Sequence, residues 1–111
     1  MNGRNVNEEH IMTSLEIIEI RSRASMRGRL EKELCRIAAD VENAQEAEHV
    51  RVFAHGVMDA DFSVHILWPA QHIPSEGSAI GLRLLRVLRE YGLLHHSVWV
   101  LRCPMNERKQ Q

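Results

Sequence analysis

The spacing of apolar residues changes from a period of two to a helical period, and back, along this chain. Residues 11–23 alternate in part and are rich in β-branched side chains, which predicts a first strand. Leu30, Leu34 and Val41 then recur at helical spacing, which predicts a helix from Ser25 to Ala44 with Ser25 as its N-cap. The first third of the chain is therefore predicted as a strand followed by a long helix.

The next segment has the pattern of a β-hairpin. Residues 50–58 and 62–68 are predicted as two strands, and apolar and polar side chains alternate cleanly in the second. Asp59, Ala60 and Asp61 form a short turn-like link, so we expect the two strands to be antiparallel. Pro69 ends the second strand because it has no amide hydrogen to donate to a neighbouring strand.

The last third of the chain is predicted as a second helix and a final strand. Ile80, Leu84 and Leu88 form an apolar stripe, which predicts a helix from Ser75 to Tyr91. Ser75 is expected to be its N-cap, and Gly92 is expected to be its C-terminal glycine cap. Residues 93–103 follow as a strand that is apolar on both faces.

This order of elements, β-α-β-β-α-β, predicts a ferredoxin-like α+β sandwich. Such a fold has one four-stranded antiparallel sheet with two helices on one face. We expect a single domain over residues 11–104, with flexible tails at residues 1–10 and 105–111. The fold alone does not decide the function, because it hosts enzymes, ligand sensors and association modules.

The predicted strands carry more large apolar side chains than two helices can cover. Two helices bury one face of a four-stranded sheet, and the other face should be polar if it meets water. Phe53, Phe62, Trp68 and Trp99 cannot all lie beneath the helices. We therefore expect the open sheet face to bind a second copy of the chain, giving a homodimer.

The third predicted strand ends on Ile66-Leu67-Trp68. With this ending, the order of elements over residues 11–103 resembles the dimeric α/β-barrel superfamily, and most of all its antibiotic-biosynthesis-monooxygenase-like group. The resemblance implies that two ferredoxin-like subunits pack their sheets face to face, and that each keeps a pocket between sheet and helices. Trp68 resembles the tryptophan that ends the third strand in many members. Haem-degrading members use a histidine on the second helix, and residues 75–91 contain none.

The expected pocket between sheet and helices would bind a small apolar or aromatic ligand. Its candidate lining residues are His65, Trp68, Tyr91 and Trp99. His65 lies midway along an apolar strand, where a histidine can titrate near neutral pH and take part in acid–base chemistry.

No bound metal or cofactor is expected. The chain has seven histidines, but no pair has the helical spacing of a zinc motif. The adjacent residues His95 and His96 point to opposite faces of one strand. The two cysteines, Cys35 and Cys103, have no metal-ligand spacing either.

The composition restricts the class of partner. Net charge is −1 and the isoelectric point is about 6.6, so no basic bias suggests nucleic acid or an anionic membrane. Arg83, Arg86 and Arg89 form a stripe on the second helix, which we interpret as a solvated face. No apolar run approaches the ~20 residues needed to cross a bilayer, and we expect a cytoplasmic protein.

Three functions fit these observations. The first is a homodimeric α/β-barrel protein that binds a small ligand without established chemistry. The second is a cofactor-free monooxygenase-like enzyme acting on an aromatic substrate. The third is a ligand-sensing domain similar to the ACT family, but the glycine-rich turn that would favour it is absent from residues 21–25.

Overall fold

The computed structural model describes residues 13–103, and within them six helices and strands occur in the predicted order. The tails expected at residues 1–10 and 105–111 lie outside the described residues. The elements are β1 (Ser14–Ser22), α1 (Arg27–Asn43), β2 (His49–Ala54), β3 (Asp61–Trp68), α2 (Ala79–Leu88) and β4 (Gly92–Val100). Short 3₁₀ turns, Ala24–Met26 and Arg89–Tyr91, precede α1 and follow α2.

The four strands form one antiparallel sheet in the order β2-β3-β1-β4. This is a ferredoxin-like α+β sandwich, as the pattern predicts. β1 lies in the interior of the sheet, where Ile18 pairs with Val64 of β3 on one side and with His96 of β4 on the other. β2 and β4 are the two edge strands, so side chains of β4 lie near the boundary between core and solvent.

The core lies between the sheet and the two helices. Ile18 and Ile66 of the sheet pack with Leu30 and Leu34 of α1 and Leu88 of α2, and all five are buried. Burying each such side chain contributes about 1.5–3 kcal/mol. Both helices therefore cover the same face of the sheet, and the other face has no helix over it within the described residues.

The predicted helix starts are both displaced. α2 begins at Ala79, and its N-cap is Ser78 instead of Ser75, because the Ser78 hydroxyl accepts a hydrogen bond from the amide of Gly81 at 2.9 Å. The residues before it form a turn in which the Gly77 amide donates to the Pro74 carbonyl at 2.8 Å. Ser25, the predicted cap of α1, lies within a 3₁₀ turn, and α1 has no side-chain cap.

The end of β2 also differs from the prediction, for a local reason. β2 ends at Ala54 instead of Met58, because His55 Nδ1 accepts hydrogen bonds from the amides of Val57 and Met58 at 3.0 and 2.9 Å. These bonds fold the segment into a turn. The predicted end of the second helix is confirmed, because the 3₁₀ turn Arg89–Tyr91 continues α2 and Gly92 is its C-cap residue. Gly92 also begins β4, where a Cβ atom would clash with the carbonyl oxygen of Arg21.

Candidate functional site

The strand register assigns each side chain of the sheet to one of two faces. Even-numbered residues of all four strands point toward the helices, and odd-numbered residues point to the open face, because paired residues share a face. The burial of β3 agrees with this assignment, because its even-numbered residues are buried and its odd-numbered residues are partly exposed.

The four residues expected to line one pocket are divided between the two faces. Trp68 and Tyr91 are buried on the helix-covered side, each 7% exposed. His65 and Trp99 lie on the open face, and Trp99 is 59% exposed. Trp68 and Tyr91 are also separated, since they lie near opposite ends of β1. The four therefore do not line a single cavity between sheet and helices.

The helix-covered face contains one fully buried carboxylate, Glu16 of β1. Its Oε1 accepts hydrogen bonds from Trp68 Nε1 at 3.0 Å and from the Ser78 hydroxyl at 2.7 Å. Its Oε2 accepts from the Ser78 amide at 3.0 Å and lies 2.7 Å from His96 Nε2. Each carboxylate oxygen thus has two donors, from β3, β4 and the start of α2.

The hydrogen bonds keep Glu16 ionised in spite of its burial. Burial by itself raises the pKa of a carboxyl, because it penalises the charged form. Here the bonds from Ser78, His96 and Trp68 outweigh that effect, and the pKa of Glu16 is lowered. An ionised carboxylate can only accept hydrogen bonds, so Nε2 of His96 must carry the hydrogen.

Two glycines make room for this carboxylate. A Cβ atom at Gly81, in the first turn of α2, would overlap the Glu16 carboxylate. A Cβ at Gly77 would overlap the imidazole of His96. Gly77 also has a φ of +111°, a conformation in which other residues are strained. The sequence Gly77-Ser78-Ala79-Ile80-Gly81 therefore folds around Glu16 and brings the start of α2 against it.

His96 connects this buried cluster to the surface. Its side chain is 13% exposed, on the edge strand β4, while its Nε2 is held by Glu16. Within residues 13–103 the other ring nitrogen, Nδ1, makes no hydrogen bond. A carboxylate that orients an imidazole in this way is an arrangement suited to proton transfer.

The sequence-based prediction missed Glu16 and His96, although one signal for Glu16 was present. Glu16 is in phase with Ile18 and Ile20, both of which are buried. An acid in phase with a buried stripe indicates a buried carboxylate that needs partners. Nothing in the sequence shows that Ser78 and His96 provide them, since they lie 62 and 80 residues away.

The open face is built of rows that cross the strands. The first row contains His49, Leu67, Leu15 and Trp99, and the second contains Arg51, His65, Ile17 and Ser97. The third contains Phe53, Ser63, Glu19 and His95, and the fourth contains Asp61, Arg21 and Leu93. The face therefore changes from apolar at one end to polar at the other.

Several large apolar side chains of this face are exposed. Phe53 is 50% exposed, Leu93 74% and Trp99 59%. Leu101, just beyond the end of β4, is 51% exposed. These residues lie near different corners of the face, and the half-buried Leu15, Ile17 and Leu67 lie between the edge strands. Exposed apolar side chains distributed over a face that no helix covers typically mark an interaction surface.

A shallow depression of about 590 Å³ lies at the polar end of the open face. Its walls come mainly from the third and fourth rows, and His55 lies at its rim. Two polar contacts cross it: the ion pair of Arg21 with Asp61 at 3.6 Å, and the approach of His95 Nδ1 to a carboxylate oxygen of Glu19 at 3.4 Å. Its walls thus carry charges of both signs beside the apolar side chain of Leu93.

No group of three or more histidine, cysteine, aspartate or glutamate side chains within residues 13–103 is arranged to hold a metal ion. In the same part of the chain, no helix is long and apolar enough to cross a membrane.

Comparison with known proteins gives a fold but no family. No family model matches the chain, and no curated protein matches its sequence. A crystal structure of a conserved protein of unknown function from Bacteroides thetaiotaomicron, named a possible oxidoreductase, is similar with a TM-score of 0.61. The two chains are 11% identical, and the match covers 83% of this chain and 99% of the other. At this identity the similarity shows the fold alone.

Proposed function

We propose that the chain functions as a homodimer of the dimeric α/β-barrel kind, which binds a small apolar or aromatic ligand. In this assembly the open faces of two sheets pack against each other. The observation that supports the proposal most strongly is the exposure of Phe53, Leu93 and Trp99 on a sheet face that no helix covers. A two-fold pairing of identical faces is the commonest way to cover such a surface.

The size of the open face suits a stable dimer. Four strands ~4.8 Å apart and about eight residues long give a projected area of about 500 Å² per copy. The relief of the side chains increases the accessible area, so two copies together come close to the ~1,200 Å² at which standard stable interfaces begin.

The charges of the open face are compatible with a second copy. Glu19 and Asp61 lie on this face together with Arg21, and Arg51 at its edge is bonded to Glu42 of α1 at 2.9 Å. A face that carries charges of both signs can pair them across a two-fold axis. The chain as a whole has a net charge of only −1, so long-range repulsion between copies is weak.

The ligand is proposed to lie between the two sheets, in the depression of about 590 Å³ whose walls include Ser63, Leu93 and His95. This location replaces the expected pocket between sheet and helices, because His65 and Trp99 face away from the helices. A second sheet placed over the depression would enclose it, as ligand cavities require.

Paired charge substitutions test the dimer. Phe53→Glu places a carboxylate on the open face, and we expect a shift from dimer to monomer or to aggregate, measured by light scattering. Val87→Glu is the matched control, because Val87 is similarly exposed (44% against 50%) but lies on α2. It should leave the dimer intact. If Phe53→Glu and Val87→Glu have the same mass in solution as the unaltered protein, the open face is not the interface.

A second candidate function is a cofactor-free monooxygenase-like enzyme acting on an aromatic substrate. The observation that favours it is the His96–Glu16 pair at 2.7 Å, since an oriented imidazole could accept the proton of a phenolic hydroxyl. Oxygen uptake in the presence of dihydroxyaromatic compounds tests it. Uptake that His96→Asn abolishes, while His72→Asn does not, would support the enzyme. Absence of uptake with the unaltered protein would count against it.

A further inference from the structure

Histidines are concentrated on the open face of the sheet. His49 of β2, His65 of β3 and His95 of β4 all point to this face, so three of its four strands contribute one. In a two-fold dimer through this face, each of them is present twice. Histidine is the side chain whose ordinary pKa of ~6.5 lets its charge change under physiological conditions.

The charge of a protonated His65 is added to a face that already carries charges of both signs. Glu19, Asp61 and Arg21 lie on this face, whereas the guanidinium of Arg51 is bonded to Glu42 of α1 at 2.9 Å. In a two-fold dimer, protonation of His65 adds a positive charge to the interface from each copy. Like charges brought together in an interface oppose association.

Of the three open-face histidines, His65 has the least acidic surroundings to offset a positive charge on its ring. Its ring lies 4.7 Å from the ring of Phe53, and its Nε2 is 3.2 Å from the hydroxyl of Ser63. Across β2 its paired residue is Arg51, and across β1 it is the apolar Ile17. Glu19 of β1, one row away, is the acid that acts on it, and partial burial outweighs Glu19, so the pKa of His65 is lowered.

The other two histidines have acidic partners that compensate a positive charge. His95 Nδ1 lies 3.4 Å from a carboxylate oxygen of Glu19, and His49 Nε2 lies 3.5 Å from Glu48. His65 is therefore the histidine through which acid should weaken the interface most.

We propose that the second copy binds the open face only while His65 is neutral, so that the homodimer assembles near neutral pH and separates in mild acid. This inference rests on the homodimer proposed above and adds the control of its assembly. Protonating His65 in the dimer would place a charge beside Phe53 and Ser63, away from water. Desolvating that charge without a directly paired acid costs free energy, which the separated monomers avoid.

The expected effect is large because both copies protonate together. If His65 stays neutral in the dimer, the association constant falls by about a hundredfold for each pH unit below the pKa of His65 in the monomer. We expect the dissociation constant to rise between about pH 7.5 and about pH 5.5, and the rise to be steepest at the acid end of this range because the pKa of His65 is lowered.

Sedimentation velocity of the full chain over this pH range tests the inference, with circular dichroism to show that the chain stays folded. His65→Asn removes the titrating group and should flatten the pH dependence. His72→Asn is the control, because His72 is exposed in the loop before α2. A dissociation constant that is the same at both pH values would overturn the inference and leave the dimer standing. A monomer at both pH values would overturn the proposed dimer itself.

A second variant keeps the test independent of acid unfolding. His65→Lys carries a permanent positive charge at neutral pH, where the fold is not challenged. We expect it to weaken the dimer by about tenfold or more, as the protonated histidine would. His72→Lys adds the same charge outside the interface and should not. Equal dissociation constants for the two variants would contradict the inference.

Discussion

The two faces of the sheet accommodate polar side chains in different ways. On the helix-covered face, Glu16 is fully buried, and all its hydrogen-bond donors come from the same chain. Within residues 13–103 no buried side-chain nitrogen or oxygen lacks a partner. On the open face, Phe53 and Trp99 are about half exposed. The same face carries histidines, of which His65 has no directly paired acid. The buried polar groups of the covered face find their partners within one copy of the chain, whereas the open face is suited to binding a second copy.

The largest effect is expected from removing the buried carboxylate. Glu16→Ala leaves the Trp68, Ser78 and His96 donors without their acceptor in the core. Removing one partner of such a buried network typically costs about 3–5 kcal/mol in the free energy of unfolding. Urea unfolding followed by circular dichroism measures this loss.

Glu31→Ala is the matched control for this substitution, because Glu31 is exposed on α1. Its effect should stay within about 0.5 kcal/mol, as for other surface changes. Equal losses for the two variants would mean that the Glu16 cluster does not stabilise the covered face.

A similar or slightly smaller loss in the free energy of unfolding is expected when an apolar side chain of the same face is truncated. Leu34→Ala truncates a side chain that is 1% exposed and packed against the sheet, and should cost about 2–5 kcal/mol. Leu82→Ala, on the outer side of α2 at 38% exposure, should cost less than about 1 kcal/mol. A loss below about 1 kcal/mol for Leu34→Ala in denaturant unfolding would show that this face of α1 is not core.

A smaller effect is expected in the acid dependence of stability. The pKa of Glu16 is lowered in the folded chain, so its stabilising contribution is fully present above the ordinary value of 4.5 and is lost as the pH falls through the folded pKa. Glu16→Gln cannot titrate, and its unfolding free energy should therefore fall less steeply in this range than that of the unaltered protein. Parallel curves for the two proteins would contradict the assignment of Glu16 as a buried ionised group.

Much of the fold was predictable because hydrophobic periodicity reports local structure directly. The alternation in β3 and the helical spacing of α1 placed both elements to within a few residues. The antiparallel sheet followed from the order of the elements, because β-α-β-β-α-β has few ways to pack. Boundaries were less well predicted where side chains bond to nearby backbone, as His55 does at the end of β2.

The site was predicted less well because it depends on register and on contacts distant in sequence. Placing His65 and Trp99 in a pocket beneath the helices required a choice of sheet face, and a shift of one residue reverses that choice. The Glu16 cluster requires three chain segments to meet at one carboxylate. Periodicity indicates that Glu16 is buried, but it does not identify the residues that bind it.

The central claim is that the open face pairs with a second copy. The mass of the particle in solution is the most direct test of this claim. Light scattering or sedimentation at micromolar concentration and neutral pH should give twice the chain mass of 12.8 kDa. Because the interface lies at the lower end of the standard size range, the mass is measured at several concentrations across the micromolar range. A particle of 12.8 kDa throughout that range would contradict the account, because the apolar open face would then be exposed to water in the functional protein.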